Sequence, residues 1–216
     1  MIIPKLHYIT QGDTPKEILE NIQKACASGA ELVQLCLKDA SEKKVLKLAK
    51  EAIKITSHFQ TRLIINQYYK IAKDIKADGV HLEKTDACPT NIRKHLYTWQ
   101  SIGGTANTLE DCKTLINKEV DYIILSPFKV IISSDNPMTA LGLNGYTAII
   151  EALKTKTPII GFGNITTKDV AEILKTGVSG IAASEAITQN FDVIKTFNQL
   201  LSASSTLEQR HTFKNE

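Results

Sequence analysis

The chain has 216 residues, enough for one domain or two small ones with a sizeable core, and its 43% apolar and 23% charged residues are ordinary for a soluble globular protein. The formal charge is only +3 and the lysines are spread along the chain, which argues against nucleic acid and against an anionic membrane surface. No apolar run approaches the ~20 residues that span a bilayer, and MIIPKLHYIT lacks the basic and apolar regions of a secretory signal, so a cytoplasmic protein is expected.

Apolar bursts alternate with segments of helical period. Strands are predicted at Leu6–Thr10, Leu32–Leu35, Leu63–Ile65, Gly79–Leu82, Ser101–Gly103, Tyr122–Leu125, Pro158–Gly161 and Gly180–Ala183. Between them, Pro15–Ser28 places Ile18, Leu19, Ile22 and Ala25 on one helical face, and Glu42–Ser57 places Val45, Leu48, Ala49 and Ala52 likewise. Thr108–Asn117 and Thr167–Thr176 each open on a good capping residue. Eight short strands alternating with helices predict a single α/β domain, a (β/α)8 TIM barrel over residues 1–203, with a polar, disordered tail at 204–216. A doubly wound open sheet is the alternative, but five or six strands would suit it better and no Gly-x-Gly-x-x-Gly opens the first unit. Ser126–Leu141 is a long loop of the kind that is functional or disordered. The cysteines Cys26, Cys36, Cys88 and Cys112 form no Cys-x-x-Cys pair and no His cluster accompanies them, so thiols are expected rather than a disulfide or a zinc site.

In parallel α/β folds ligands bind at the C-terminal ends of the strands. The second strand ends in Gln34, Cys36 and Lys38, which alternation puts on one side. The bland alternative makes Lys38 a solvated loop residue and Cys36 a small core residue. The third strand delivers Asn66 and Gln67, and the fourth His81, Glu83 and Asp86. His81, inside an apolar strand, reads as a satisfied interior histidine, and Asp86 has an alternative role at a helix start before Pro89. Gly103-Gly104-Thr105-Ala106-Asn107 are small residues expected to admit a ligand close to the backbone. Gly161-Phe162-Gly163-Asn164 and Ala183-Ser184-Glu185 end the last two strands, where barrels often hold a phosphate on backbone N–H groups, with Glu185 expected to point away.

In order and spacing these pieces, together with Asp78-Gly79-Val80-His81-Leu82 and Gly142-Leu143-Asn144-Gly145, resemble the thiamine phosphate synthase family, which includes the similar thiazole tautomerases, from about Leu6 to Ile187. The resemblance implies a TIM barrel, a homodimer, and a transferase that joins an aminopyrimidine methyl diphosphate to a hydroxyethylthiazole phosphate, releasing diphosphate with Mg2+. It assigns Gln34 and Asn66 to the pyrimidine and diphosphate side, Lys38 to the diphosphate, and Asp86 to Mg2+. Thr105 takes the place of a small hydroxyl residue, and Gly163, Asn164 and the backbone around Ser184 that of the thiazole phosphate site. The departures fall on the chemistry: Cys36 stands in place of an arginine, Gln67 in place of a second Mg2+-binding aspartate, and Ser134 in place of a loop lysine, with Lys129 nearby as a substitute cation. The second reading is a tautomerase-like isomerase, whose base position is occupied here by Asn107, which cannot take a proton. The third is a catalytically impaired binder of phosphate esters.

Overall fold

The computed structural model describes residues 2–37, 40–84, 88–130 and 139–203. Eight strands, β1 (Leu6–Ile9), β2 (Leu32–Leu35), β3 (Arg62–Asn66), β4 (Gly79–Leu82), β5 (Ser101–Ala106), β6 (Tyr122–Leu125), β7 (Ile159–Gly161) and β8 (Gly180–Ala183), pair in sequence order. All pairs are parallel, and β8 closes onto β1 with Leu6 opposite Ile181. The closed sheet rules out the open doubly wound alternative and bears out the barrel.

Helices follow the strands: α1 (Pro15–Ala27), α2 (Glu42–His58), α3 (Tyr69–Asp74), α4 (Pro89–Arg93), α5 (Leu109–Asn117), α6 (Gly142–Leu153), α7 (Val170–Lys175), α8 (Glu185–Gln189) and α9 (Val193–Ala203). Their starts follow from capping chemistry. The Thr14 hydroxyl accepts the Glu17 N–H at the head of α1, and Thr108 and Asp111 form a reciprocal capping box at the head of α5. No described helix is long and apolar enough to cross a membrane.

Alternation along the strands makes two cores. Leu6, Tyr8, Val33, Leu35, Ile65, Val80, Ile123 and Ile181 face outward and pack under the helices. A smaller inner cluster of Tyr122, Ile124, Ile160 and Ala182 fills the barrel, with Ile9 and Phe162 against it. His7 and His81 join that inner layer, both with their rings against Tyr122.

The departures from the predicted elements have local causes. β5 runs three residues beyond the predicted Gly103, because its glycines make room for neighbours within the sheet rather than ending it. A Cβ at Gly103 would lie 2.1 Å from the Tyr122 ring, and one at Gly104 would lie 2.7 Å from the Leu115 side chain. These positions therefore admit protein side chains, and only Thr105 and Asn107 of that stretch reach the cavity described below. α7 starts at Val170 rather than Thr167, because the Asp169 carboxylate accepts both the N–H and the hydroxyl of Thr166 and holds a turn there. The predicted tail and the centre of the long loop, residues 131–138, lie outside the described residues. None of the four cysteines is in a disulfide; Cys26 and Cys112 are buried and Cys36 and Cys88 half-buried.

Candidate active site

A cavity of about 330 Å³ opens at the C-terminal ends of the strands. Gln34 of β2, His81 of β4 and Thr105 of β5 come from the strands themselves. Glu83, Lys84, Asn107 and Ser126 come from the turns just beyond, with Ile9, Ile124 and Phe162 as its apolar wall. Six strands thus deliver side chains to one place, as the barrel's geometry requires.

The polar residues are locked to one another. Gln34 is buried, and its Nε2 donates to Asn66 Oδ1 at 2.8 Å, while its own Oε1 has no partner among the described residues. Asn66 in turn directs Nδ2 toward Cys36 Sγ at 3.6 Å. The Cys36 N–H donates to Thr10 Oγ1 at 3.1 Å, tying the end of β2 to that of β1. His81 Nε2 lies 2.9 Å from Thr105 Oγ1, and its Nδ1 lies 3.3 Å from the Tyr122 hydroxyl. Burial pushes the His81 imidazole down to about 3, so it is neutral at physiological pH. The reading of His81 as a satisfied interior histidine is thus half the picture: it is buried and satisfied, and it also forms part of the cavity floor.

Lys84 carries the charge at the rim. Its ammonium lies 2.6 Å from Asp111 Oδ2, the oxygen that also accepts the backbone N–H groups of Asn107 and Thr108. Burial alone would raise the Asp111 carboxyl, but the Lys84 ammonium, the Asn107 N–H and the Thr108 contact outweigh it and hold the pKa below the usual carboxylate range. Lys84 is the only cation among the described residues that line the cavity. Sequence reasoning passed it over, although its position two residues beyond the end of β4 was the available signal.

Other expected residues are placed differently. Asn107 lines the cavity and gives Nδ2 to the Ser126 carbonyl at 2.7 Å. Lys129 does not line it, its ammonium lying 2.6 Å from Asp169 Oδ2. Gln67 is exposed, follows β3 in a left-handed conformation at φ 66°, and is also outside the lining. Gly163 and Asn164 form a corner after β7 that is stitched to the segment after β6. The Phe128 N–H reaches the Phe162 carbonyl, the Lys129 N–H reaches the Gly163 carbonyl, and Asn164 Nδ2 reaches the Val130 carbonyl at 2.9 Å. The Ser184 hydroxyl donates to the Ile9 carbonyl at 2.7 Å, and Glu185 is exposed, its Oε1 accepting from Gln189 one turn on. Lys38, Asp86 and Ser134 lie outside the described residues.

The family model described as thiamine monophosphate synthase matches residues 6–187. The chain belongs to that family. It is 38% identical over 199 residues to the thiamine-phosphate synthase of Flavobacterium psychrophilum, covering 91% of this chain and 97% of that one. It is 33% identical to the thiamine-phosphate synthase of Bacteroides fragilis over 91% of this chain and 98% of that protein. Among solved structures, a thiamine phosphate pyrophosphorylase from Pyrococcus furiosus superposes with a TM-score of 0.79 over 93% of this chain and 96% of that one, and at 24% identity it shows the common fold.

Proposed function

We propose that this chain is a thiamine phosphate synthase, a transferase that joins an aminopyrimidine methyl diphosphate to a hydroxyethylthiazole phosphate and releases diphosphate. The observation that carries this reading is the likeness to thiamine-phosphate synthases along nearly the whole of both chains, with 38% identity to one of them. The cavity at the strand ends is where such a reaction would take place.

The reaction breaks the bond between the pyrimidine methylene carbon and the diphosphate oxygen, and the electron pair leaves with diphosphate. The thiazole nitrogen lone pair forms the new C–N bond. No proton has to be removed, so the site needs no general base. That requirement suits this cavity. His81 is held near pKa 3 and engaged at both nitrogens, and Asn107 cannot take a proton. The same facts count against the tautomerase reading, which requires a base.

Gln34, oriented by Asn66, and Thr105 line the cavity and would hold the pyrimidine. Lys84 supplies a positive charge for the oxygens on which negative charge develops as diphosphate leaves. Lys38, by resemblance, would be a second. The thiazole phosphate would lie against the Gly163–Asn164 corner and the start of α8, where none of the backbone hydrogen bonds among the described residues uses the Gly163 or Asn164 N–H.

Among the described residues no group of three or more His, Cys, Asp or Glu side chains is placed to hold a metal ion. The oxygen donors on this edge are the Glu83 carboxylate and the Gln67 amide, with Asp86 assigned by resemblance. Such a sparse set suits Mg2+ only when substrate phosphates and water complete its shell, as is usual for that ion. Bound in that way, Mg2+ would neutralise charge on the diphosphate. A homodimer is part of the proposal, on resemblance alone.

The test is to incubate the protein with both substrates and Mg2+ and follow diphosphate release. Product that requires both substrates is expected, and none above background at high protein concentration would overturn the proposal. A rise in melting temperature with either phosphate ester but no turnover would instead favour the impaired binder.

A further inference from the structure

A chain of three hydrogen-bonding groups runs from the barrel interior to the cavity floor. Tyr122 is fully buried in the inner core, His81 is buried beside it, and Thr105 is half-buried at the cavity. Gly103 creates the space for the Tyr122 ring, since any side chain there would collide with it. The ring stacks on His81 with centroids 5.6 Å apart.

A neutral imidazole has one N–H and one bare nitrogen, so the His81 proton can occupy one of two places. If Nδ1 carried it, Nδ1 would donate to the Tyr122 oxygen, and the buried Tyr122 hydroxyl proton would have no acceptor among the described residues. Leaving a buried donor unsatisfied is costly. If Nε2 carries it, Tyr122 donates to Nδ1, Nε2 donates to Thr105 Oγ1, and both buried groups are satisfied. The proton left over is that of the Thr105 hydroxyl, which borders the cavity.

We propose that Tyr122 and His81 are positioning residues that fix the direction of this chain, so that the Thr105 hydroxyl keeps its proton to donate to an acceptor in the cavity. Taken with the function proposed above, on which this part rests, the acceptor is a ring nitrogen of the aminopyrimidine. Thr105 then selects for a ring nitrogen over C–H at that position. A donor on the ring opposes the build-up of positive charge on the pyrimidine as diphosphate leaves. The contact therefore serves binding and orientation, and its loss should raise KM more than it lowers kcat.

Two measurements test this. The first reads the tautomer directly, from the 15N shifts and long-range 1H–15N couplings of His81 in labelled wild-type protein at pH 7. Protonated Nε2 and bare Nδ1 are expected, and protonated Nδ1 would overturn the proposal whatever the enzyme's activity. The second compares binding of the aminopyrimidine methyl diphosphate with that of two pyridine analogues, each with one ring nitrogen replaced by C–H. Wild type should bind one analogue about tenfold more weakly, the size of one neutral hydrogen bond. Thr105→Val should bind the pyrimidine more weakly and lose that discrimination, raising KM more than it lowers kcat. Thr105→Ser should restore the discrimination. Unchanged discrimination in Thr105→Val would overturn the proposal. Failure of wild type to bind the pyrimidine at all would instead remove the proposed function, while the tautomer measurement would still stand.

Discussion

Single residues decide how much charge this site can offer a diphosphate. Cys36 stands where the resemblance puts an arginine, and a thiol brings no positive charge to that place; its N–H donates to Thr10 and its sulfur accepts from Asn66. Lys84 partly offsets that loss. It lines the cavity, and its ammonium contacts Asp111 through one of its three donors, which leaves two for an anion. Removing one preorganised donor to developing negative charge typically costs ~3 kcal/mol of barrier, or about a hundredfold. Solvent at the rim weakens the effect here, so Lys84→Met is expected to lower kcat/KM at least tenfold, with Lys84→Arg retaining most of it. Cys36→Arg should raise kcat/KM. Steady-state diphosphate release measures all three, and an unchanged kcat/KM in Lys84→Met would remove the lysine from the mechanism.

At the scale of elements, the corner after β7, proposed above to receive the thiazole phosphate, is joined to the segment after β6. Gly163 has φ 121°, a conformation that side chains rarely adopt, and a Cβ there would meet the Phe128 nitrogen at 2.6 Å. That nitrogen donates to the Phe162 carbonyl, so the collision falls on the hydrogen bond that closes the corner. Gly163→Ala should cost ~1–3 kcal/mol of stability and weaken binding of the thiazole phosphate more than binding of the pyrimidine diphosphate. Chemical denaturation and separate titrations with the two substrates would check this, and equal losses for both would break the assignment of this corner to the thiazole phosphate. The sequence signals were strong for the elements themselves. Gly79–Leu82, Tyr122–Leu125 and Gly180–Ala183 were legible to the residue, because short apolar runs bounded by turns have few alternatives. The contents of the site were less legible. Gln34 and Thr105 were found from alternation at strand ends and from resemblance, whereas the role of Gly103 depends on the Tyr122 ring across the sheet, a contact between strands that no local pattern records.

For the whole molecule, the consequence lies in having two cores of different character. The outer core is apolar, whereas the inner one holds His7 and His81, both fully buried against one tyrosine. His7 donates Nε2–H to the Pro4 carbonyl at 3.0 Å and leaves Nδ1 without a partner, so a second proton there would find no acceptor among the described residues. Burial, with the nearby His81 adding to it, pushes His7 down to about 3, and burial does the same to His81. In the unfolded chain a histidine titrates near 6.5. Above that pH neither state binds the extra protons, and the neutral inner core contributes its full stability. As pH falls from 6.5 toward 3, the unfolded state takes up protons that the folded barrel refuses, so the stability to unfolding falls in that window. Each histidine contributes a slope of up to about 1.4 kcal/mol per pH unit. His7→Gln, which keeps a donor for the Pro4 carbonyl and cannot titrate, should flatten the dependence by up to one proton between pH 6 and 4. Urea unfolding at a series of pH values measures the slope directly. Carboxylates contribute equally to both proteins, so a His7→Gln slope as steep as wild type would mean that the inner core tolerates charge and that His7 does not govern the barrel's acid sensitivity.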